Sequence, residues 1–283
     1  MRLWILLLAC SCLQAMDLAI IIDDLGYNPA LGRRTLALPG PITVAILPGT
    51  PFAESLAMLA DEQAIETMLH LPMANKAGFP LGPFGLELDM SHEERLKLAR
   101  QALATLPNVR GFNNHQGSLL TEDAAAMAFL FAHLPASDLY FVDSLTTANS
   151  KAGAQADAHG WLWGQRHIFL DHQASQDFVR QQMQLTWQRL EQHGHALVIG
   201  HPYVETLTVL EQMLPHWQEQ GVRLLPVSSY LALHGQQGES SVPGSDHKDE
   251  PKQLLPSLEN PPSAQTDPLA PRQQPFWPRL LEH

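Results

Sequence analysis

The sequence predicts an α/β protein built around a mainly parallel sheet. Two observations lead there. Short apolar runs alternate along the chain with stretches of helical pattern. The runs themselves, such as LAIII at 18–22 and ALVIG at 196–200, are continuously apolar rather than alternating, as strands buried on both faces require. With about seven such units, a barrel and a large doubly wound sheet are both open.

The elements follow in order. A strand over 18–22 runs into Asp-Asp-Leu-Gly, and a second over 42–47 ends at Pro48-Gly49. A helix over 52–62 leads to a strand over 67–73. Ser91 and Glu94 have the spacing of a capping box and open another helix. A strand begins at Val109, a helix covers 121–134, and a strand covers 139–144. The strand HIFLD at 167–171 precedes a long helix over 173–193. The remaining elements are a strand over 196–201, a helix over 206–220 and a last strand over 222–228. There is no internal repeat.

Both ends read differently. Met1 and Arg2 precede a short apolar run from Trp4, and Leu13-Gln14-Ala15 offers a cleavage site. The run is too short to span a bilayer, so residues 1–15 are expected to be a secretory signal peptide, leaving no stable membrane span after cleavage. Cys10 and Cys12, the two cysteines, lie inside it. The mature chain is therefore expected to have no disulfide, thiolate zinc site or cysteine nucleophile. Residues 234–283 are rich in Gly, Gln, Ser and Pro and are expected to be disordered. Phe276, Trp277, Leu280 and Leu281 in that tail read either as a docking motif for an envelope protein or as a solvated end. Residues 16–233 form the expected domain. The net charge of −12, with no Lys/Arg-rich stretch, argues against a nucleic-acid partner.

Function is legible in where the polar residues fall. Asp23 and Asp24 follow the first strand, His70 sits late in the third, and His115 follows VRGFNN. Asp143 ends LYFVD and His201 ends ALVIG. In parallel α/β folds these strand ends share one face, where ligands bind. Each residue alone also reads as a turn former, a cap or a satisfied polar group; the coincidence of several at one face favours a site. One carboxylate and two imidazoles make a divalent-metal site with an open position. A second carboxylate can take a proton from water, and a further histidine can protonate a leaving amine. Hydrolysis of an amide or ester fits this set. No Gly-x-Ser-x-Gly elbow, dinucleotide-binding loop or phosphate-binding loop is present. Asp171, at the end of HIFLD, is a secondary site candidate. Trp161 and Trp163 read as core or lid packing in preference to a sugar-stacking platform, and His167 and His172 as surface residues in preference to a second metal site.

AIIIDDLGYN, AILPGTP, MLHLPM, GFNNHQGS and LVIGHPYVETL occur in this order. The combination resembles the divergent polysaccharide deacetylases, a distant branch of the carbohydrate esterases with the NodB-type fold, over residues 16–233. The resemblance implies a distorted (β/α) barrel of mainly parallel strands. It implies that Asp23 is the general base, Asp24 a metal ligand and His70 a second ligand, with Zn2+ the expected ion. The mainstream pattern places another histidine four residues after the first, where this chain has Ala74. His115, ending the next strand, is the candidate third ligand. His201 matches the histidine near the leaving group, and Asp143 stands where an aspartate orients it. Asn113, Asn114 and Ser118 are expected to line the site. The implied substrate is an N-acetylated cell-envelope glycan, and the implied location is the periplasm. A catalytically inactive glycan- or peptide-binding module and an envelope scaffold are the competing readings.

Overall fold

The computed structural model describes residues 16–136 and 138–237. The expected signal peptide and the tail beyond Gln237 lie outside the described residues. The elements run β1 (Met16–Leu25), α1 (Pro29–Leu36), β2 (Thr43–Ile46), α2 (Ala53–Glu62), β3 (Glu66–Met73), α3 (His92–Ala104) and β4 (Gly111–Gln116). They continue with α4 (Ala124–His133), β5 (Tyr140–Asp143), α5 (Ala152–Ala158), β6 (Leu162–Gln165), β7 (Ile168–Phe169) and α6 (Gln176–His193). The last are β8 (His195–Gly200), α7 (Val204–Glu219), β9 (Val222–Leu224), α8 (Val227–His234) and β10 (Gln236–Gln237).

The strands form one curled, mostly parallel sheet in the order β10-β6-β5-β4-β3-β2-β1-β8-β7, with β9 also paired to β1. The expected parallel α/β barrel is therefore present, in distorted form. β6, which has only the two-residue β10 outside it, and the edge strand β7 stand near opposite margins, and two residues carry the chain between them. The Arg166 N–H donates to Asp143 O on one side, and the His167 N–H to Leu197 O on the other. The curl is closed there by the chain itself rather than by a ladder.

Two cores follow from the two faces of the sheet. Leu18, Ile20 and Ile22 of β1, with Phe112 and Phe141, pack outward against the helices. Ala19, Ile21, Met68, Val142, Leu197 and Ile199 point inward, where Val227, Tyr230 and Leu231 of α8 fill the base of the curl. Successive side chains on a strand alternate faces, so these rows determine what comes after them. Asp23 continues the inward row of Ala19 and Ile21. His70 continues from Met68, and His201 from Leu197 and Ile199.

Several local expectations hold. Ser91 Oγ accepts the Glu94 N–H at 3.2 Å while Glu94 Oε2 accepts the Ser91 N–H at 2.8 Å, so the capping box starts α3. Trp161 is fully buried among Phe112 and Phe131 and donates its indole N–H to Phe131 O at 2.9 Å. Trp163 is buried as well. Others need correction. The strand expected over 222–228 stops at Leu224, because Pro226 turns the chain into α8. Thr43 Oγ1 and Glu66 Oε1 accept the first N–H groups of that helix. The domain end expected at Leu233 falls inside α8, and β10 beyond it pairs with β6. His167 is not a surface residue: its Nδ1 accepts the Leu197 N–H at 2.8 Å between β7 and β8. No helix among the described residues is long and apolar enough to cross a membrane.

Candidate functional site

Asp23 and Asp24 are adjacent, so a regular strand would send them to opposite faces. Asp24 instead adopts φ 59, and the register of β1 against β2 shifts between Ile22 and Leu25. This bulge swings Asp24 round to join Asp23 at the inner mouth of the curl. A left-handed aspartate costs conformational energy, and such strain clusters at working sites.

Three ligand atoms then meet. Asp24 Oδ1 lies 2.9 Å from His115 Nδ1 and 3.2 Å from His70 Nε2, and the two imidazole nitrogens are 3.1 Å apart. Edges of this length suit ligands each about 2.0–2.2 Å from a shared ion. Asp24 Oδ1 is buried and receives no hydrogen bond despite these neighbours. His70 Nδ1 lies 2.7 Å from Asn113 Oδ1, an atom that can only accept, so the ring proton sits on Nδ1. His70 Nε2 is then the nitrogen that can offer a lone pair to a cation beside Asp24 and His115. The residues present fit a divalent cation, with carboxylate and imidazole ligands and an outer partner, Asn113, orienting one imidazole.

Asn113 also donates from Nδ2 to Asp23 Oδ1 at 2.8 Å. Burial pushes the Asp23 carboxyl up in pKa, and His70, His201 and Asn113 offset this only in part. Burial also opposes ionisation of Asp24, but His115, His70 and His201 outweigh it and hold that carboxyl well below the usual range. Two adjacent carboxylates thus acquire opposite tendencies, one to stay charged and one to accept a proton.

On the far wall, His201 Nδ1 is 2.9 Å from Asp171 Oδ1. Asp171 Oδ2 accepts the His201 N–H and the Thr206 hydroxyl, both at 2.6 Å. His201 Nε2 faces back toward Asp24 Oδ2 at 3.7 Å. Burial disfavours charge on His201, yet Asp171, with Asp24 and Asp23, outweighs it and raises its pKa to about 10. Asp171 is therefore the aspartate that orients His201.

Asp143 does not have that position. Phe141 packs outward, and Asp143 shares its face of β5. Asp143 Oδ1 accepts the Leu145 N–H at 2.9 Å, and Oδ2 accepts the Ser150 hydroxyl at 2.7 Å. It builds a loop rather than touching His201. Asn114 does line the cavity, as expected, and its Oδ1 accepts the Ser144 N–H at 3.0 Å. Ser118 does not line the cavity: its Oγ accepts the Lys76 N–H at 3.1 Å.

The model of the divergent polysaccharide deacetylase family matches residues 20–231. The chain belongs to this family. YibQ of Escherichia coli (strain K12) is 36% identical over 209 residues, 74% of this chain and 66% of that protein. The match thus spans just under two thirds of that relative. A protein of Haemophilus influenzae is 34% identical over 202 residues, 71% of this chain and 72% of its own. Among solved structures, protein ATU2773 of Agrobacterium tumefaciens C58 superposes with a TM-score of 0.73 at 18% identity, covering 76% of this chain and 89% of that one. At that identity the likeness speaks for the fold.

Within the family fold, a cavity of about 420 Å³ joins the two walls, lined among others by Asp23, His70, His115, Arg166 and His201. Sequence reasoning missed Arg166. It precedes the short strand β7, and its side chain reaches the cavity only because the chain crosses there between the margins of the sheet.

Proposed function

We propose that this protein is a divalent-metal-dependent deacetylase acting on an N-acetylated glycan of the cell envelope. The observation that carries the reading is the meeting of Asp24 Oδ1, His70 Nε2 and His115 Nδ1, with Asp23 on one side and the His201–Asp171 pair on the other. Asp24, His70 and His115 would hold the cation, with Zn2+ the first choice for this donor set.

The cation, when bound, polarises the acetyl carbonyl and acidifies water. Asp23, pushed toward accepting a proton and steadied by Asn113, takes the proton of the attacking water. Water oxygen bonds to the acetyl carbon and the C–N bond breaks. His201, protonated at neutral pH and aligned by Asp171, gives its proton to the departing sugar nitrogen. Acetate and a free amine are the products. The His115 ligand replaces the histidine that Ala74 does not supply. The amino-terminal pattern supports export to the periplasm, where such a glycan would be met.

The test pairs elemental analysis with acetate release from N-acetylated envelope glycans. The parent should hold about one divalent ion, and Asp23→Asn should keep the ion while losing turnover. A parent that takes up no metal in excess zinc defeats the mechanism. A parent that binds glycan with equal affinity before and after Asp23→Asn, and releases no acetate, is a binding module instead.

A further inference from the structure

Arg166 is a guanidinium held in place within electrostatic reach of Asp23 and Asp143 but ion-paired to neither. Nε donates to Ser144 O at 2.7 Å and Nη2 to Leu145 O at 2.9 Å, and the group lies 5.0 Å from the centre of the Phe169 ring. Both carbonyls belong to the loop that the Asp143 carboxylate folds through Leu145 and Ser150. Leu145 takes φ 47 in that loop, a conformation side chains rarely adopt. Among the described residues no carboxylate lies within ion-pair distance of Arg166, and Nη1 donates no hydrogen bond. Ser144, 6% exposed, lines the same cavity, and its Oγ is buried with no hydrogen-bond partner. A buried hydroxyl without a partner is costly, and a fixed guanidinium presents a planar fork matched to a carboxylate.

We propose that Arg166 and Ser144 form a carboxylate-binding subsite. The substrate is then an N-acylated amino sugar that carries a carboxylate, on the sugar or on a short peptide attached to it. This rests on the proposed reading of the cavity as the substrate site, and it adds a class of substrate to that reading. The chain as a whole, at a net charge of −12, offers an anion little general attraction, so selection would come from this local pair.

Calorimetric binding to the full chain tests it without requiring turnover. The probes are N-acetylmuramic acid, its methyl ester, and N-acetylmuramoyl dipeptide, which moves the carboxylate onto the peptide. At least one acid should bind the parent tenfold or more tighter than the ester, and the better acid identifies the carboxylate's source. Arg166→Gln should erase that preference. Arg166→Lys should retain part of it, and Ser144→Ala should lose a few-fold. The preference should persist after chelator treatment. Equal binding of acids and ester by the parent, a comparison that needs no variant, overturns the subsite. So does a preference that survives Arg166→Gln and vanishes with the metal, since the carboxylate would then sit on the cation. Acetate release is read separately: its absence with the preference intact counts against the hydrolysis and leaves the subsite standing.

Discussion

Asp171 receives both the imidazole and the backbone N–H of His201, at 2.9 and 2.6 Å, and so determines where that ring points. Both carboxylate oxygens are engaged, with the Thr206 hydroxyl as a third partner. Asp171→Asn replaces one acceptor oxygen by a donor and favours the wrong imidazole tautomer. Acetate release should fall roughly 10²–10⁴-fold, the scale of losing a positioned acid and its orienter. Metal content should not change. Loss of metal together with activity would show instead that the change disrupts the whole site.

Asn113 joins two parts of the candidate site, one amide atom on His70 Nδ1 and the other on Asp23 Oδ1. Asn113→Ala should weaken zinc binding by about ten- to a hundredfold, as expected when an imidazole ligand loses its outer partner. Competition with a chromogenic chelator measures this. Unchanged affinity would mean that His70 is held by packing alone.

His167 makes acid stability testable. Its Nδ1 must be unprotonated to accept the Leu197 N–H. Burial, with Arg189, His195 and His193 nearby, lowers its pKa to about 3. In the unfolded chain it takes a proton near the ordinary value of 6.5. Between these values the unfolded state binds the extra proton. Stability is therefore lost as pH falls from 6.5 toward 3, by up to about 1.4 kcal/mol per pH unit from this residue. His167→Asn keeps an acceptor and does not titrate. Urea unfolding at pH 4 to 7 should show a shallower slope for the variant, and an equal slope would assign the acid sensitivity to other groups.

Trp161 packs with Phe112 and Phe131 in the outer core, away from the cavity. Trp161→Ala should cost about 3–5 kcal/mol of folding stability, the range for emptying a large core site. Glycan affinity of the folded fraction should match the parent. Selective loss of glycan binding at unchanged stability would restore a stacking role.

Much of this arrangement is legible in the chain's residue pattern. Asp23, Asp24, His70, His115 and His201 lie at or near the ends of strand segments, and strand ends in a parallel sheet share one face. Ala74 in place of a histidine points to a rebuilt ligand set, and His115 does lie against Asp24. The pattern misleads at Asp143. LYFVD is apolar throughout up to the aspartate, so its residues do not reveal which face looks inward. Only the packing of Val142 inward and Phe141 outward decides that Asp143 points away from His201. Arg166 escapes notice because nothing in GQRHIF marks a two-residue crossing between sheet margins.

The sequence by itself determined the strand–helix alternation, the family and the residue types available for metal and proton chemistry, because hydrophobic pattern and strand ends are local properties. The tertiary structure decided which of those residues meet. A bulge with Asp24 at positive φ brings two adjacent carboxylates to one face, strand parity gives His201 to Asp171 instead of Asp143, and a loop built on Asp143 presents Arg166 to the cavity. These depend on contacts between segments far apart in the chain, where a single residue of register or a single turn of the backbone reverses the direction of a side chain.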